Sequence, residues 1–167
     1  MASWLPSDSF EITPFVAMEF PDLFKLPKCS VNAVVAKRTF WEKATILHQE
    51  ANRVEYKAIP LRHSRHYYDL AKMAQSNVKD DALNNIKLLE DVVLFKQKFY
   101  MSSWAKYEDA KIGTFKLLPP LFRYRELKSD YDSMRSMIFD KYLDFEEIIS
   151  ILEKLEDEIN QRSDFRY

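Results

Sequence analysis

Gly113 is the only glycine in this 167-residue chain. Glycine lets a backbone adopt positive φ at little cost and approach a ligand closely. A chain with one glycine has no Gly-rich loop with which to cradle phosphates. Any anion site must therefore come from side chains and helix ends. Almost half the residues are apolar and aromatics are plentiful, so disorder is excluded and the length suffices for one ordinary core. No window approaches the roughly 20 unbroken apolar residues of a membrane span, and the opening MASWLPSDSF lacks a basic-then-apolar leader pattern. The single cysteine, Cys29, permits neither an internal disulfide nor a zinc cluster, which makes reduced cytoplasm the default compartment.

Pro14, Pro21 and Pro27 forbid a long helix over residues 8–36, so that stretch reads as extended. FEI and CSVNAVV are its strand candidates by alternation and β-branching, and they need partners to form a sheet. Beyond them the chain reads as helical. Thr39 and Glu42 fit a capping box that opens a helix running to about Asn52. Ser64 is an acceptable N-cap for a second helix ending near Gln75. A third spans about Lys79 to Phe99, and a short segment follows at Trp104–Asp109. Gly113 and Pro119-Pro120 bracket the loop KIGTFKLLPP. Two more helices are written by Leu127, Tyr131, Met134 and Ile138, and by Ile148, Leu152, Leu155 and Ile159 behind an Asp144…Glu147 capping box. Their short connection predicts an antiparallel hairpin.

Charge is unevenly spread. Lys37 to Lys72 carries eight Lys/Arg against four Asp/Glu, whereas Asp140 to Tyr167 carries four against nine. The middle favours an anionic partner and the tail is acidic; solvated helix faces produce similar counts. On a helical wheel Phe40, Ala44, Leu47 and Ala51 form an apolar stripe, with Lys43 and Glu50 on one flank and Trp41 and His48 on the other. Lys43 reads either as a phosphate-binding lysine aimed into a cleft or as a snorkelling lysine paired with a carboxylate. Arg62, His63, Arg65 and His66 crowd the start of the second helix. With its free amides they make an anion site, or else a solvated basic turn. Asp69 lies off the apolar stripe. It reads either as a surface partner of Arg65 or Lys72 or as a carboxylate that orients a basic group beside phosphates.

Other chemistry finds less support. His63, His66 and Asp69 step about 60° apart on the wheel, which serves one metal ion poorly, and His48 would have to join from another helix. Cys29 has no neighbouring base. Tyr67, Tyr68, Phe95, Phe99 and Tyr100 read as core rather than as base-stacking platforms.

The segments KRTFWEKATILHQEANR and RHSRHYYDLAKM, supported by ITPFVAMEFPDL upstream and VVLFKQKFYMSSWAKYEDAKIGTFKLLPP downstream, resemble the AbiEii/AbiGii-type nucleotidyltransferase toxins of bacterial toxin–antitoxin systems, from about Ile12 to Asn160. The resemblance implies a nucleotide transferred from an NTP, with Mg2+, onto acceptors that include tRNA ends. It implies Lys43 as a triphosphate contact and Asp69, with Arg65 in the matching motif, as an essential active-site carboxylate. Arg38, Arg62, Arg65 and His66 are the candidate substrate-binding residues. The family also carries a Gly-Gly-Ser/Thr motif and an Asp-x-Asp pair that holds magnesium. This chain has no Gly-Gly, and no Asp-x-Asp precedes Lys43. It looks like the C-terminal part of such a toxin, beginning after the metal-binding half.

The expected fold is mostly α with a short N-terminal β portion (α+β): residues 1–36 an extended remnant of the nucleotidyltransferase sheet, residues 37–167 a helical domain. The expected function is positioning of NTP and RNA phosphates, inactive alone because phosphoryl transfer needs metal ions. Expected partners are NTP, tRNA or other RNA, a cognate antitoxin or a missing N-terminal half, and no membrane. The alternative is a non-enzymatic helical module that binds an antitoxin or another protein through its acidic final helices.

Overall fold

The computed structural model describes residues 5–139 and 141–162. It is mostly helical, with a small β ribbon at the N-terminus. Strand β1 (Ser7–Ile12) and strand β2 (Cys29–Val34) pair antiparallel, with Phe10 opposite Val31 and Ile12 opposite Cys29. Between them the proline-bounded stretch is not wholly extended. Pro14 precedes a short helix, α1 (Phe15–Glu19), and a 3₁₀ turn follows at Pro21–Leu23. The prolines limit helix length there without abolishing helix, because proline is tolerated at helix starts.

Helix α2 (Ala36–Ala51) is the hub, packing against α3 (Arg65–Ala74), α4 (Asn77–Leu83) and α5 (Ile86–Phe99). Its N-cap is Val35, four residues before the Thr39 of the expected capping box, with no side-chain cap. Glu42 instead spends its carboxylate on Arg38 one turn back, at 2.9 Å. The buried face of α2 is wider than the apolar stripe predicts. Trp41, Thr45 and His48 are fully buried along with Phe40, Ala44 and Leu47. The polar side-chain atoms of Trp41, Thr45 and His48 each have a partner, as burial demands. Trp41 Nε1 donates to the Ala82 carbonyl, and His48 is held between the Lys106 carbonyl at 3.0 Å and the Lys116 amide at 3.0 Å. Because Lys116 N–H donates to Nδ1, the proton on His48 sits at Nε2 and donates to Lys106. Burial lowers the pKa of this imidazole.

The predicted third helix is two. Asn84 closes α4, and the Asn85 side chain caps α5 by accepting from the Leu88 amide; short polar side chains at this break compete with the helical ladder. Phe99 and Tyr100, expected in the core, lie exposed at the end of α5. The KIGTFKLLPP loop is a strap rather than a surface loop. Phe115 and Leu117 are buried, and the amides of Phe115, Leu117 and Leu118 bond to Asn160 and Glu156 of α7 (Phe145–Asn160).

The capping box at Asp144 and Glu147 opens α7 as expected. Helix α6 (Tyr124–Ser133) ends earlier than the spacing predicts, leaving Ile138 beyond a 3₁₀ turn at Arg135–Met137. The expected antiparallel hairpin is therefore loose. Helix α7 packs chiefly on α3, and α6 reaches it through the Tyr131 ring beside Phe145 and the Lys128–Glu146 pair. Among the described residues no helix is long and apolar enough to cross a membrane.

Candidate functional site

Periodicity places Lys43 one step off the buried stripe of α2, and the fold puts α3 alongside. The Lys43 ammonium lies 2.6 Å from Asp69 Oδ2 and 3.1 Å from His66 Nδ1. Asp69 is thus paired with a lysine from the neighbouring helix. Because Lys43 donates to Nδ1, His66 is a neutral acceptor with its proton on Nε2. Burial and then the Lys43 charge hold this imidazole down to about 3, with His63, Arg65 and Lys96 adding to the effect. An ammonium has three protons. Two are committed here, and the third is left for another acceptor.

Lys96, from α5, closes the other side. Its ammonium donates to the Glu42 carbonyl at 3.3 Å. Burial, with Lys43 nearby, brings it down to about 8 against the opposing pull of Glu42. No local signal marked Lys96. It follows Val92 and Val93 at helical spacing, where an apolar residue would be expected.

Behind Lys43, about two turns further along the same flank, Glu50 is buried. Arg53 grips it through two bonds of 2.6 and 2.9 Å, and His63 Nε2 lies 3.3 Å from it. Burial raises the Glu50 pKa, but these cationic and hydrogen-bonding neighbours more than offset it, so the carboxyl ends below its ordinary value. The rings of His63 and His66 meet edge to face at 4.8 Å. A continuous polar seam therefore runs Asp69, Lys43, His66, His63, Glu50, Arg53 along the α2–α3 junction. Its signal was present in the wheel, where Glu50 shares a flank with Lys43.

Just ahead of the basic helix start, the amides of the turn leading into α3 are met by an anion from the chain itself. Asp130 of α6 accepts from the Arg62 amide at 2.7 Å, the Ser64 amide at 3.0 Å and the Ser64 hydroxyl. Burial raises the Asp130 pKa, and these bonds outweigh it, so its carboxyl too titrates below its ordinary value. Ser64 is buried and donates rather than capping its own helix. Arg62 takes the left-handed conformation at φ 60, a cost its amide bond to Asp130 offsets. The Arg62 and Arg65 side chains are exposed and share with Asp69 and Tyr68 a small cavity of about 170 Å³. Asp69 thus stands between Lys43 and His66 on one side and the two arginines on the other.

Arg38 lies apart from this group. Its side chain is buried, bonded to Glu42 and to the Leu5 carbonyl, with Phe95 at 6.0 Å, and its Nη2 has no hydrogen-bond partner.

Among the described residues no group of three or more His, Cys, Asp or Glu side chains could hold a metal ion. The nearest donors are committed: Asp69 to Lys43, Glu50 to Arg53, Asp130 to the Arg62 and Ser64 amides. These residues do not fit the magnesium that the resemblance implies.

A family model described as nucleotidyl transferase AbiEii toxin, type IV toxin–antitoxin system, matches residues 2–151. No curated protein and no solved structure gives a significant match.

Proposed function

The chain belongs to the nucleotidyl transferase AbiEii toxin family of type IV toxin–antitoxin systems, and from that premise we propose that its α2–α3 junction positions the phosphates of an NTP and of an RNA acceptor. The observation that carries this reading is the Lys43 ammonium held 2.6 Å from Asp69 and 3.1 Å from neutral His66. Both partners orient Lys43, and its third N–H points the charge at an incoming phosphoryl oxygen. Cations outnumber carboxylates around it once Lys96 and Arg65 are counted, so an anion is favoured despite Asp69. Arg62 and Arg65, fully charged at any working pH, suit a longer phosphate chain or an RNA backbone. Asp69 acts as the carboxylate that fixes Lys43 and divides the two groups of cations. Arg38 serves this site indirectly, by fixing the start of α2.

No metal-dependent step is assigned to these residues. In this reading these residues supply positioning, and nucleotidyl transfer to RNA proceeds only with metal-binding carboxylates other than those of this site. The second reading, an interaction module docking through its acidic helices, has less behind it. Glu146, Glu156 and Glu158 of α7 are engaged with Lys128, the strap amides and Lys79.

Titration calorimetry with NTP and with inorganic tripolyphosphate tests the proposal. Lys43→Ala should weaken both at least tenfold with little change in melting temperature, because a partly exposed ion pair contributes about 1 kcal/mol or less. Asp69→Asn should weaken binding less than Lys43→Ala does. Unchanged affinity in Lys43→Ala, or no binding by the unaltered protein, removes the positioning role.

A further inference from the structure

Lys96 and Lys43 are partnered unequally. The Lys43 ammonium holds a carboxylate and an imidazole. Lys96 leaves α5 one turn after the buried Val92 and Val93, and its ammonium donates to a backbone carbonyl, that of Glu42, at 3.3 Å. That is long for a bond from a charged donor. The Glu42 carboxylate is committed to Arg38 at 2.9 Å, and among the described residues Lys96 makes no ion pair. The same side chain lines a cavity of about 410 Å³ framed by α2, α5 and the 3₁₀ turn at Tyr107–Asp109. Ile46, Val92 and Phe95 make much of its wall apolar. Gln49 lines it too, and because the Tyr107 hydroxyl donates to its Oε1 at 2.6 Å, its amide nitrogen is left as a donor. Desolvation in such a setting penalises an ammonium. Burial, with the like charge of Lys43 added and Glu42 opposing, brings Lys96 down to about 8. At pH 7 roughly one Lys96 in ten is then the free amine, against roughly one in three thousand for an ordinary lysine. Lys87 and Lys128 show the contrary case: both are solvent-facing, and their bonds to Glu90 and Glu146 hold them above the ordinary value.

We propose that Lys96 is a covalent modification site, whose amine takes the acyl group of a small acyl phosphate that enters this cavity. A desolvated lysine beside a second cation is a nucleophile, because both features favour its uncharged form. The amine lone pair attacks the acyl carbon and forms the C–N bond. The C–O bond to phosphate breaks, phosphate leaves with that electron pair, and the spare amine proton passes to water. Nothing is oxidised or reduced. The cavity has room for a short acyl chain against Ile46 and Val92, and Gln49 supplies a donor for a carbonyl oxygen. The charge of the phosphate end selects this donor, since the Lys43 charge felt at Lys96 attracts an anion. The product is a neutral amide, so acylation removes one cation from the group around Lys43.

The site stands on the surroundings of Lys96 and needs no nucleotide, so it survives if the phosphate reading of Lys43 fails. The folded, unaltered protein is treated with acetyl phosphate, and the rate of acetylation at each lysine is read by peptide mass spectrometry, with Lys87 and Lys128 as internal references. At pH 7 Lys96 should react at least tenfold faster than either. Its rate should rise with pH and level off above about 8, while the reference lysines go on accelerating to pH 10. The charged and titratable groups that face Lys96 are Glu42 and Lys43 of α2 and neutral His66 of α3; of these Lys43 is the like charge, so Lys43→Ala should slow Lys96 several-fold at pH 7 and leave Lys87 unchanged. N-acetoxysuccinimide, a neutral acyl donor, should show a smaller preference for Lys96 than acetyl phosphate does. Reaction of Lys96 no faster than the references, or a rate still climbing at pH 10, overturns the proposal. Equal preference with the neutral donor overturns the choice of acyl phosphate.

Discussion

His66 carries a pH dependence of known sign. Its folded pKa is lowered to about 3 from an ordinary 6.5, so the native state prefers the neutral ring. Below pH 6.5 the unfolded chain takes up a proton that the native chain refuses. The contribution of His66 is therefore complete above about pH 6.5 and is lost progressively as the pH falls toward 3. The slope is about 1.4 kcal/mol per pH unit. Glu50 and Asp130, both held below their ordinary values, act in the same direction but only in the carboxylate range. Urea midpoints taken at pH 8, 7, 6 and 5 should thus be level above 7 and fall between 6 and 5, and His66→Gln should reduce that fall, the remainder belonging to buried His48, whose pKa burial also lowers. A level profile down to pH 5 in the unaltered protein would contradict a neutral, accepting His66. The role of this residue was only half legible in the sequence. Its place at a basic helix start was visible, but that start suggested a charged histidine facing an anion. Only the approach of Lys43 from 23 positions earlier in the chain makes the ring an acceptor, and no local pattern encodes an approach between two helices.

At the scale of elements the chain supplies its own counter-charge to α3. The amides of Arg62 and Ser64 converge on Asp130, which arrives from α6 some 66 positions later in the chain. Loss of an N-terminal cap costs about 0.5–2 kcal/mol, and the buried Ser64 hydroxyl would lose its partner as well. Asp130→Ala should therefore lower stability by about 2–3 kcal/mol, read as a lower urea midpoint with unchanged m-value. Ser64→Ala should cost less, since both amide bonds to Asp130 survive. Equal, negligible losses in the two variants would mean that α3 is held by packing alone. The helices themselves were largely readable, because apolar spacing at 3.6 residues and the Asp144…Glu147 box are local signals. The misreadings share one cause. Thr39 and Glu42 have the right spacing for a cap, but Arg38 is a stronger partner for Glu42 than the helix-start amide. Asn84 and Asn85 break a run of apolar periodicity that continues on both sides. In each case a short-range pattern lost to a competing polar contact.

At the scale of the whole molecule, order is unevenly distributed. The helical body carries the largest buried side chains, among them Trp41, Tyr67, Tyr131 and Phe145. The ribbon, by contrast, presents Phe10, Ile12 and Val31 on one face by strand alternation, and all three remain about 40% exposed. Phe15, Leu23 and Leu26, in the connection between the strands, are more exposed still. The ribbon is tied to the helical body at its base, where the Val35 amide donates to the Pro6 carbonyl and Arg38 to the Leu5 carbonyl. Two strands without a covered face are marginally stable in water, so the ribbon should open locally without unfolding the helices. Amide hydrogen exchange should find β1 and β2 protected at least a hundredfold less than the centres of α2 and α7. These exposed apolar side chains of the ribbon and its connection should bind a hydrophobic dye at neutral pH, and the double variant Phe15→Ser/Leu26→Ser should reduce that signal while leaving the thermal midpoint of the helices in place. Strand protection equal to that of α2 would mean that the ribbon is covered in solution, and a lowered midpoint in the double variant would mean that these side chains support the helical body.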